Sequence, residues 1–382
     1  MRVGLVTGEY PPMQGGVGAF TRELARAMAS LGSEVHIFTR QAAQNADEPG
    51  ISVYPSVRQR WGWGTLRAVR QWASAVCAEV VNIQFQTAAY NMHPAIHWVP
   101  CRTPGVPVIV TFHDLRVPYL FPKAGPARPW LVRKLARDAD AVIATDRADE
   151  AILRNQWHIP RVRWIPIGSN ISTTPPAGYD RDAWRAGLGI GPDELLISYF
   201  GFLNESKGGL RLIEALARLI AQGVPARLVM IGGRAGSSDP TNLAYGQRVD
   251  AAVESYGLGD RVLWTGFTDD PTVSAHFYAS DITVLPYRDG VSLRRGTLMA
   301  ALAHGRAIVT THPQVEVPEL TGALEIVPPE DPEQLAGAIA HLWADPVRRA
   351  QLEQAALRAA GSFTWDSIAQ RTLDFFTELL SR

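Results

Sequence analysis

Two successive series of short apolar segments, alternating with helical patterns, constrain the fold of this chain more than any other feature. The first series consists of apolar runs at residues 2–7, 35–39, 80–85, 108–113, 141–145 and 162–166. The second series consists of runs at residues 195–202, 228–232, 262–265, 282–286 and 307–311. Runs that are apolar throughout are typical of parallel strands buried on both faces, and the helices between them are typical of right-handed crossovers. The pattern predicts an α/β protein with two doubly wound parallel sheets.

The breaker-rich stretch TTPPAG at residues 173–178 separates the two series. A length of 382 residues fits two domains of ordinary size. We therefore predict an N-terminal Rossmann-like domain over residues 1–172, a linker over residues 173–192 and a C-terminal Rossmann-like domain over residues 193–362.

Composition narrows the classes of function. The chain has 37 basic and 37 acidic residues, and this balance argues against a nucleic-acid-binding protein. Two cysteines, Cys77 and Cys101, are too few for a disulfide framework or a structural zinc site. The first residues lack the basic region and long apolar core of a cleavable signal, and no apolar run approaches the roughly 20 residues that span a bilayer. We expect a reducing, cytoplasmic setting.

Ligands of doubly wound sheets bind beyond the carboxyl ends of the strands, so the loops at those ends are the candidate sites. The first such loop contains Gly15, Gly16, Val17 and Gly18. Its glycines permit close approach of the backbone, and the helix that follows presents free N–H groups to an anion. A dinucleotide fingerprint would need a third glycine and a P-loop would need Gly-Lys-Ser/Thr, and both are absent. A tight turn that serves only packing is the alternative.

The strand PVIVTFHD ends in His113 and Asp114. A histidine at the carboxyl edge of a strand can donate to a sugar hydroxyl or to a phosphate. A satisfied core imidazole, with Asp114 capping a helix, is the alternative.

In the second series, Lys207 stands where a helix begins, after the strand that ends near Gly201. A cation at a helix N-terminus is unfavourable unless an anion is bound, because the positive end of the helix dipole lies there. The adjacent Arg294 and Arg295 precede a later helix, and paired guanidinium groups suit a diphosphate. A solvated helix start is the alternative for the two arginines. Only three lysines occur in the chain, so the place of Lys207 is informative.

An Asp-x-Asp pair and a stretch rich in tryptophan and arginine are interpreted as structural features. Asp138 and Asp140 form an Asp-x-Asp pair, but they stand at a helix-to-strand junction where Asp is a common turn residue, so we expect no metal site there. Trp61, Trp63 and Trp72 alternate with arginines as an interfacial membrane segment would. Packing of a helix in the first domain is the favoured interpretation, and contact with the inner face of a membrane is the alternative.

Several of these motifs resemble glycosyltransferase family 4, whose members are retaining transferases with the GT-B fold. The stretches EYPPMQGGVGAFTRELARAMASLGSEVHIFT, VTFHD, WIPIGSNI, FGFLNESKGGLRLIEAL, LVMIGG and VLWTGF are similar to family motifs, and they occur in family order. The resemblance implies two Rossmann-like domains that face each other across a cleft. It also implies that the closing helix, residues 363–382, packs back on the first domain.

The resemblance implies roles for single residues. Lys207 grips the donor diphosphate, His113 lies on the donor side, and the glycine loop faces the donor and acceptor phosphates. We predict a catalytic set of Lys207, His113, Arg294 and Arg295. Asp114 and Gln84 are predicted to bind the acceptor. The predicted donor-binding residues are Gly15, Gly16, Val17, Gly201, Phe202, Gly232, Gly233, Gly266, Phe267, Ser292, Gly296 and Thr297.

The chain departs from the family pattern at two places. Phe202 occupies the position of the usual arginine, and Ser292 and Ala300 occupy the positions of two glutamates spaced eight residues apart. We infer that Arg294 and Arg295 replace the missing arginine.

The resemblance predicts a metal-independent hexosyltransferase. It would move a sugar from a UDP- or GDP-linked donor to a hydroxyl of a glycan or a lipid-linked glycan, with retention, and it would need no cofactor besides this co-substrate. A catalytically degenerate, nucleotide-sugar-binding scaffold protein and a sugar-nucleotide epimerase are the alternatives.

Overall fold

The computed structural model describes residues 1–13, 15–43, 47–115, 127–233 and 240–381. The chain divides into two compact units. Unit 1 comprises Met1–Asn170 and Phe363–Arg382, and unit 2 comprises Ile171–Ser362.

Unit 1 is built on a seven-stranded parallel sheet. The strands are β1 Arg2–Thr7, β2 Glu34–Arg40, β3 Ile51–Val57, β4 Val80–Phe85, β5 Val108–Phe112, β6 Ala141–Ala144 and β7 Val162–Trp164. Their order is β3-β2-β1-β4-β5-β6-β7. Every residue of the central strand β4 is buried, as expected for a strand covered on both faces. The edge strand β3 was not predicted, because serines and a proline interrupt its apolar residues and only two of its seven residues are buried.

Helices cover both faces of this sheet. Those before the second unit are α1 Gly16–Ser30, α2 Trp63–Ala75, α3 Val99–Arg102, α4 Ala127–Asp138 and α5 Arg147–Ala151. Helix α1 begins at Gly16, within the predicted glycine loop, and its buried side chains lie at the spacing of one helical face. The loop and the end of β1 are therefore held at the carboxyl edge of the sheet.

Unit 2 repeats the plan with a six-stranded parallel sheet in the order β10-β9-β8-β11-β12-β13. The strands are β8 Leu195–Phe200, β9 Ala226–Ile231, β10 Val262–Trp264, β11 Ile282–Leu285, β12 Ala307–Thr311 and β13 Glu325–Val327. The helices are α6 Arg181–Gly187, α7 Gly209–Ala221, α8 Pro240–Ser255, α9 Asp270–Ala279, α10 Gly296–Ala303, α11 Pro332–Ala344 and α12 Pro346–Ala360. The two parallel sheets confirm the predicted fold class.

The segment expected to be a linker, residues 173–192, lies within unit 2 and contains α6. Arg185 of this helix is only 4% exposed, and its Nη1 donates to Asp281 Oδ2 at 3.1 Å. The same carboxylate oxygen accepts from the N–H of Leu196 at the start of β8, at 2.8 Å. A buried ion pair with these additional hydrogen bonds fixes α6 to the sheet, so the segment is part of the domain.

The last helix, α13 Trp365–Leu380, belongs to unit 1. Arg163 next to it donates twice to the carboxylate of Glu378, at 2.9 and 2.7 Å. Trp365 Nε1 donates to the carbonyl of Ser169 at 2.6 Å. The chain therefore returns to its first sheet after completing the second. Within the described ranges, no helix is long and apolar enough to cross a membrane.

Candidate active site

The carboxyl edge of the second sheet brings Gly201, Lys207 and Thr297 together. Gly201, which follows β8, has a φ of 111°, and a Cβ atom there would lie 2.9 Å from Lys207 Nζ and 2.7 Å from Thr297 Cγ2. A side chain at this position would therefore displace the lysine. Lys207 ends a short 3₁₀ turn, held by its N–H donating to Asn204 Oδ1 at 3.1 Å, and α7 follows it.

Lys207 is a cation in an unfavourable place. Burial and, to a smaller extent, the nearby charge of Arg295 lower the pKa of Lys207 to about 8. Among the described residues, no carboxylate forms an ion pair with its ammonium group. A desolvated cation beside a second cation is a site for an anion, because only an anion supplies the missing charge.

Arg295 supplies that second cation and is held rigidly. Its guanidinium pairs with the carboxylate of Asp289 and lies 4.5 Å from the ring centroid of Tyr287. Arg295 Nε is buried and, within the described residues, has no hydrogen-bond partner. The hydroxyl of Tyr287 is in turn 2.6 Å from Thr297 Oγ1. This network leaves one N–H group of the guanidinium unused.

The two predicted arginines are not equivalent. Arg294 makes no hydrogen bond or ion pair with the described part of the chain, whereas Arg295 lies beside Lys207. The buried hydroxyl of Ser292 also lacks a partner among the described residues. The arrangement therefore assigns the cation cluster to Lys207 and Arg295.

Three glycines line the same sheet edge. Gly232 and Gly266 form an isolated β-bridge, and a Cβ on Gly232 would lie 3.6 Å from the backbone of Gly201. A phenylalanine directly follows Gly201 and another follows Gly266. Phe202 is 40% exposed and Phe267 is 74% exposed. Small backbone groups beside exposed aromatic rings are suited to a flat ring such as a nucleobase. Arg234, expected beside Gly232 and Gly233, lies outside the described residues.

The predicted residues at the start of α10 also lie close to this edge of the sheet. Gly296 opens the helix, and Arg295 is its N-cap. Ala300, at the position of one missing family glutamate, is completely buried within the helix. No polar group at this position therefore replaces the carboxylate of the family glutamate.

In unit 1, His113 follows β5 and is held by two neighbours. Its Nε2 lies 3.0 Å from Gln84 Oε1, and its ring packs edge-on against Phe20 of α1 at a centroid distance of 4.7 Å. Burial lowers the pKa of His113 to about 3, so the imidazole is neutral at any working pH. Gln84, which was predicted to bind the acceptor, is 0% exposed. Asp114 directly follows His113 and is partly exposed.

The glycine loop differs from the prediction in its chemistry. Glu9 Oε1 accepts hydrogen bonds from the N–H groups of Val17 at 3.1 Å and Gly18 at 3.2 Å. A Cβ on Gly15 would lie 2.1 Å from the same oxygen. These N–H groups at the start of α1 are therefore not free for a substrate anion, because a carboxylate of the chain already occupies them.

Sequence reasoning missed Glu9, although it stands only six residues before the loop. Burial raises the pKa of Glu9, and the hydrogen bonds from Gly18 and Val17 act in the opposite direction. The signal that a sequence offers is an acidic residue in the turn before a helix that lacks its own capping side chain.

We expect Glu9→Ala to lower the free energy of unfolding by about 1 to 2 kcal/mol, because two N–H groups at a helix N-terminus lose their acceptor. Glu9→Gln keeps an acceptor oxygen and loses only the charge, so it should cost less than the alanine variant. Urea denaturation followed by circular dichroism measures both. A Glu9→Ala protein as stable as the wild type would contradict the capping role.

The two patterns given the simpler interpretation have structural roles. Asp140 Oδ2 accepts from the N–H of Val108 at 2.7 Å, and Asp138 pairs with Lys134 on α4. Trp61 and Trp72 are buried against Phe38, whereas Trp63 is exposed. An interfacial segment built on all three tryptophans is therefore excluded.

Comparison with known proteins now identifies the chain. Residues 15–168 match the model of a glycosyl transferase 4-like domain, and residues 194–345 match the model of glycosyl transferases group 1. The chain belongs to glycosyltransferase family 4. The two matches together span most of both units, so this family 4 glycosyltransferase carries each of the domains that its family models describe.

Relatives of this family 4 glycosyltransferase match it over nearly its whole length. The D-inositol 3-phosphate glycosyltransferase of Thermobispora bispora is 27% identical over 398 residues, which cover 96% of this chain and 91% of that protein. The protein of the same name from Xylanimonas cellulosilytica is also 27% identical and is covered to 93%. The chain is thus a glycosyltransferase.

Solved structures resemble it in fold. Sucrose-phosphate synthase from Thermosynechococcus elongatus has a TM-score of 0.78 at 23% identity, covering 100% of this chain and 99% of that chain. Anabaena Alr3699/HepE, solved in complex with UDP-glucose, has a TM-score of 0.74 at 18% identity, covering 99% and 100%. These likenesses confirm the predicted GT-B fold.

Proposed function

We propose that this glycosyltransferase moves a hexose from a nucleotide diphospho-sugar to a hydroxyl acceptor, with retention at the anomeric carbon. The observation that carries the proposal is the pair of cations at the edge of the second sheet, Lys207 and Arg295. Lys207 has no carboxylate partner in the described ranges, and Arg295 has an unused N–H group. A diphosphate supplies negative charge to Lys207 and a hydrogen-bond acceptor to the unused N–H group of Arg295.

In the proposed reaction, the bond between the anomeric carbon and the diphosphate oxygen breaks while the bond to the acceptor oxygen forms on the same face. The acceptor hydroxyl gives its proton to the leaving diphosphate. Negative charge therefore grows on the diphosphate, where Lys207 and Arg295 stabilise it. Because side-chain cations perform this task, we propose that transfer needs neither a metal ion nor a further cofactor.

The nucleotide part of the donor is proposed to lie along the glycines of the same edge. Exposed Phe202 and Phe267 offer apolar surface for a base, and Gly201 and Gly232 let the backbone approach a phosphate or ribose. UDP-glucose is the first donor to test, since a protein of the same fold was solved with it.

The acceptor is proposed to be a glycan or a lipid-linked glycan hydroxyl, and the inositol phosphate of the relatives is the first alternative. The carboxylate of Glu9 at the glycine loop disfavours a second anion there, since two negative groups would compete for the same N–H donors. An acceptor that is uncharged at this loop therefore fits better than a phosphorylated one.

One observation favours a second function. Ser292 and Ala300 stand where the family has glutamates, so a scaffold protein that binds a nucleotide sugar without transferring it is the alternative. Incubation with UDP-, GDP- and ADP-sugars and a panel of acceptors separates the two. Nucleotide release that depends on the acceptor supports transfer. Saturable binding without release supports the scaffold, and a changed sugar without release indicates an epimerase.

The affinity for a nucleoside diphosphate should depend on pH through Lys207. The free protein binds the anion in its protonated form, and the pKa of Lys207 is about 8 before binding. Bound diphosphate raises that pKa, so binding above pH 8 requires uptake of a proton, and the affinity should fall up to about tenfold per pH unit. Isothermal titration of UDP between pH 7 and 9.5 measures the effect.

Lys207→Arg is the matched control, because an arginine stays charged over the same range. Its affinity should be nearly constant where that of the wild type falls. An equal slope in both proteins would assign the pH dependence to another group.

A further inference from the structure

A row of polar side chains runs through the interior of the first sheet. Asn82 and Gln84 on β4 and Thr111 on β5 are buried in a region that is otherwise apolar. Polar groups in such a place are costly unless each of them is hydrogen-bonded. Here they bond to one another in sequence, and the row ends at His113.

A backbone carbonyl fixes the direction of the hydrogen bonds that lead from Asn82 through Gln84 to His113. Asn82 Nδ2 donates to the carbonyl of Ile109 at 3.2 Å, and a carbonyl can only accept. The amide oxygen of Asn82 is therefore turned toward Gln84, where it accepts from Gln84 Nε2. The amide oxygen of Gln84 must then face His113.

The orientation of Gln84 determines the proton on His113. Gln84 Oε1 lies 3.0 Å from His113 Nε2, and an amide oxygen can only accept, so Nε2 carries the hydrogen. The imidazole is neutral because it is buried. Its Nδ1 is then a lone-pair acceptor, and within the described residues it makes no hydrogen bond.

We propose that Asn82 and Gln84 are positioning residues that hold His113 as a hydrogen-bond acceptor at Nδ1 for a hydroxyl of the substrate. The role is the reverse of the donor role that the sequence suggested. A neutral acceptor does not bind phosphate, so the partner of His113 is a sugar or acceptor hydroxyl. The proposal rests on the proposed transfer for the identity of this partner, but the state of the ring does not depend on it.

The neighbours of the ring support a fixed orientation. Phe20 packs on one side at 4.7 Å and is itself packed edge-on against Trp365 at 5.2 Å. The backbone N–H of His113 donates to the carbonyl of Phe85, and this bond anchors the backbone of His113 to β4. Ring, backbone and tautomer are therefore each held by a separate contact, as a preorganised substrate contact requires.

Two-bond ¹H–¹⁵N correlation spectra of the ¹⁵N-histidine-labelled full chain test the tautomer, with His113 assigned from the His113→Gln variant. We expect a protonated Nε2 and an unprotonated Nδ1 from pH 5 to 9. A protonated Nδ1 would overturn the proposal. The spectrum is read without substrate, so it stays informative even if the proposed transfer is not found.

Two variants test the positioning role in the assay for acceptor-dependent nucleotide release. Gln84→Met keeps the length of the side chain but accepts no hydrogen bond, and it should lower kcat/KM about tenfold while the two tautomers of His113 mix. Gln84→Glu should raise the pKa of His113, so that the ring charges on acidification and activity gains a pH dependence that the wild type lacks.

The two readouts protect the test against a merely structural effect. If Gln84→Met does not fold, the amount of active protein falls for a structural reason. The pH profile of Gln84→Glu then still tests the positioning role. Unchanged tautomer and unchanged kcat/KM in Gln84→Met, or an unchanged pH profile in Gln84→Glu, would each contradict the proposal.

Discussion

Lys207→Ala is expected to lower kcat about 10²- to 10³-fold, with a smaller effect on the KM for the donor. In the proposed reaction the ammonium of Lys207 stabilises the charge that grows on the leaving diphosphate, and removal of one preorganised group of this kind typically has an effect of that size. Steady-state kinetics with the donor that the sugar panel identifies measures both constants.

Stability provides the internal control for this variant. Burial disfavours the charged form of Lys207, so its removal should leave the free energy of unfolding unchanged or raise it. Lys207→Arg should recover part of kcat, because it restores the charge with a different geometry. Full kcat in Lys207→Ala would contradict the assigned role.

Arg295→Ala is expected to weaken the binding of a nucleoside diphosphate by about one to two orders of magnitude, as loss of a charge-assisted hydrogen bond would. Arg295 is held by Asp289 and Tyr287 beside Lys207, and its Nε has no partner within the described ranges. Isothermal titration of UDP or GDP measures the change.

Arg294→Ala is the matched control, since the neighbouring residue has the same charge but no contact with the cation cluster. We expect its affinity to stay within about twofold of the wild type, as is usual for a charge without an ion-pair or hydrogen-bond partner among the described residues. Equal losses in the two variants would show that both arginines contact the diphosphate, and no loss in either would exclude the replacement of the missing family arginine.

Most of the fold followed from apolar runs because parallel strands are buried on both faces. The runs that became β4, β5, β8 and β9 needed no long-range information. The strands β3 and β13 were missed, since one is interrupted by polar residues and both lie at a sheet edge where burial is incomplete. The sequence predicted a linker over residues 173–192, which lie within unit 2, because the contact of Arg185 with Asp281 joins residues about a hundred positions apart.

The sequence located the cation cluster at the sheet edge but did not predict its contacts. Glycines and cations at strand ends marked Gly201, Lys207 and Arg295, because the carboxyl edge of a parallel sheet brings such ends together. The pattern did not separate Arg294 from Arg295, since only packing decides which guanidinium turns inward.

Hydrogen-bond direction was also beyond the sequence. Glu9 occupies the N–H groups that the glycine motif seemed to offer, and Gln84 directs the proton on His113. Both effects depend on which polar atoms meet across elements, and residue spacing does not contain that information.

A determined structure of the chain with the donor from the sugar panel, or with its nucleoside diphosphate, tests the central claim most directly. The account predicts that the diphosphate lies within hydrogen-bonding distance of Lys207 Nζ and the Arg295 guanidinium, at the carboxyl edge of the second sheet. A diphosphate bound elsewhere, with neither cation in contact, would contradict it.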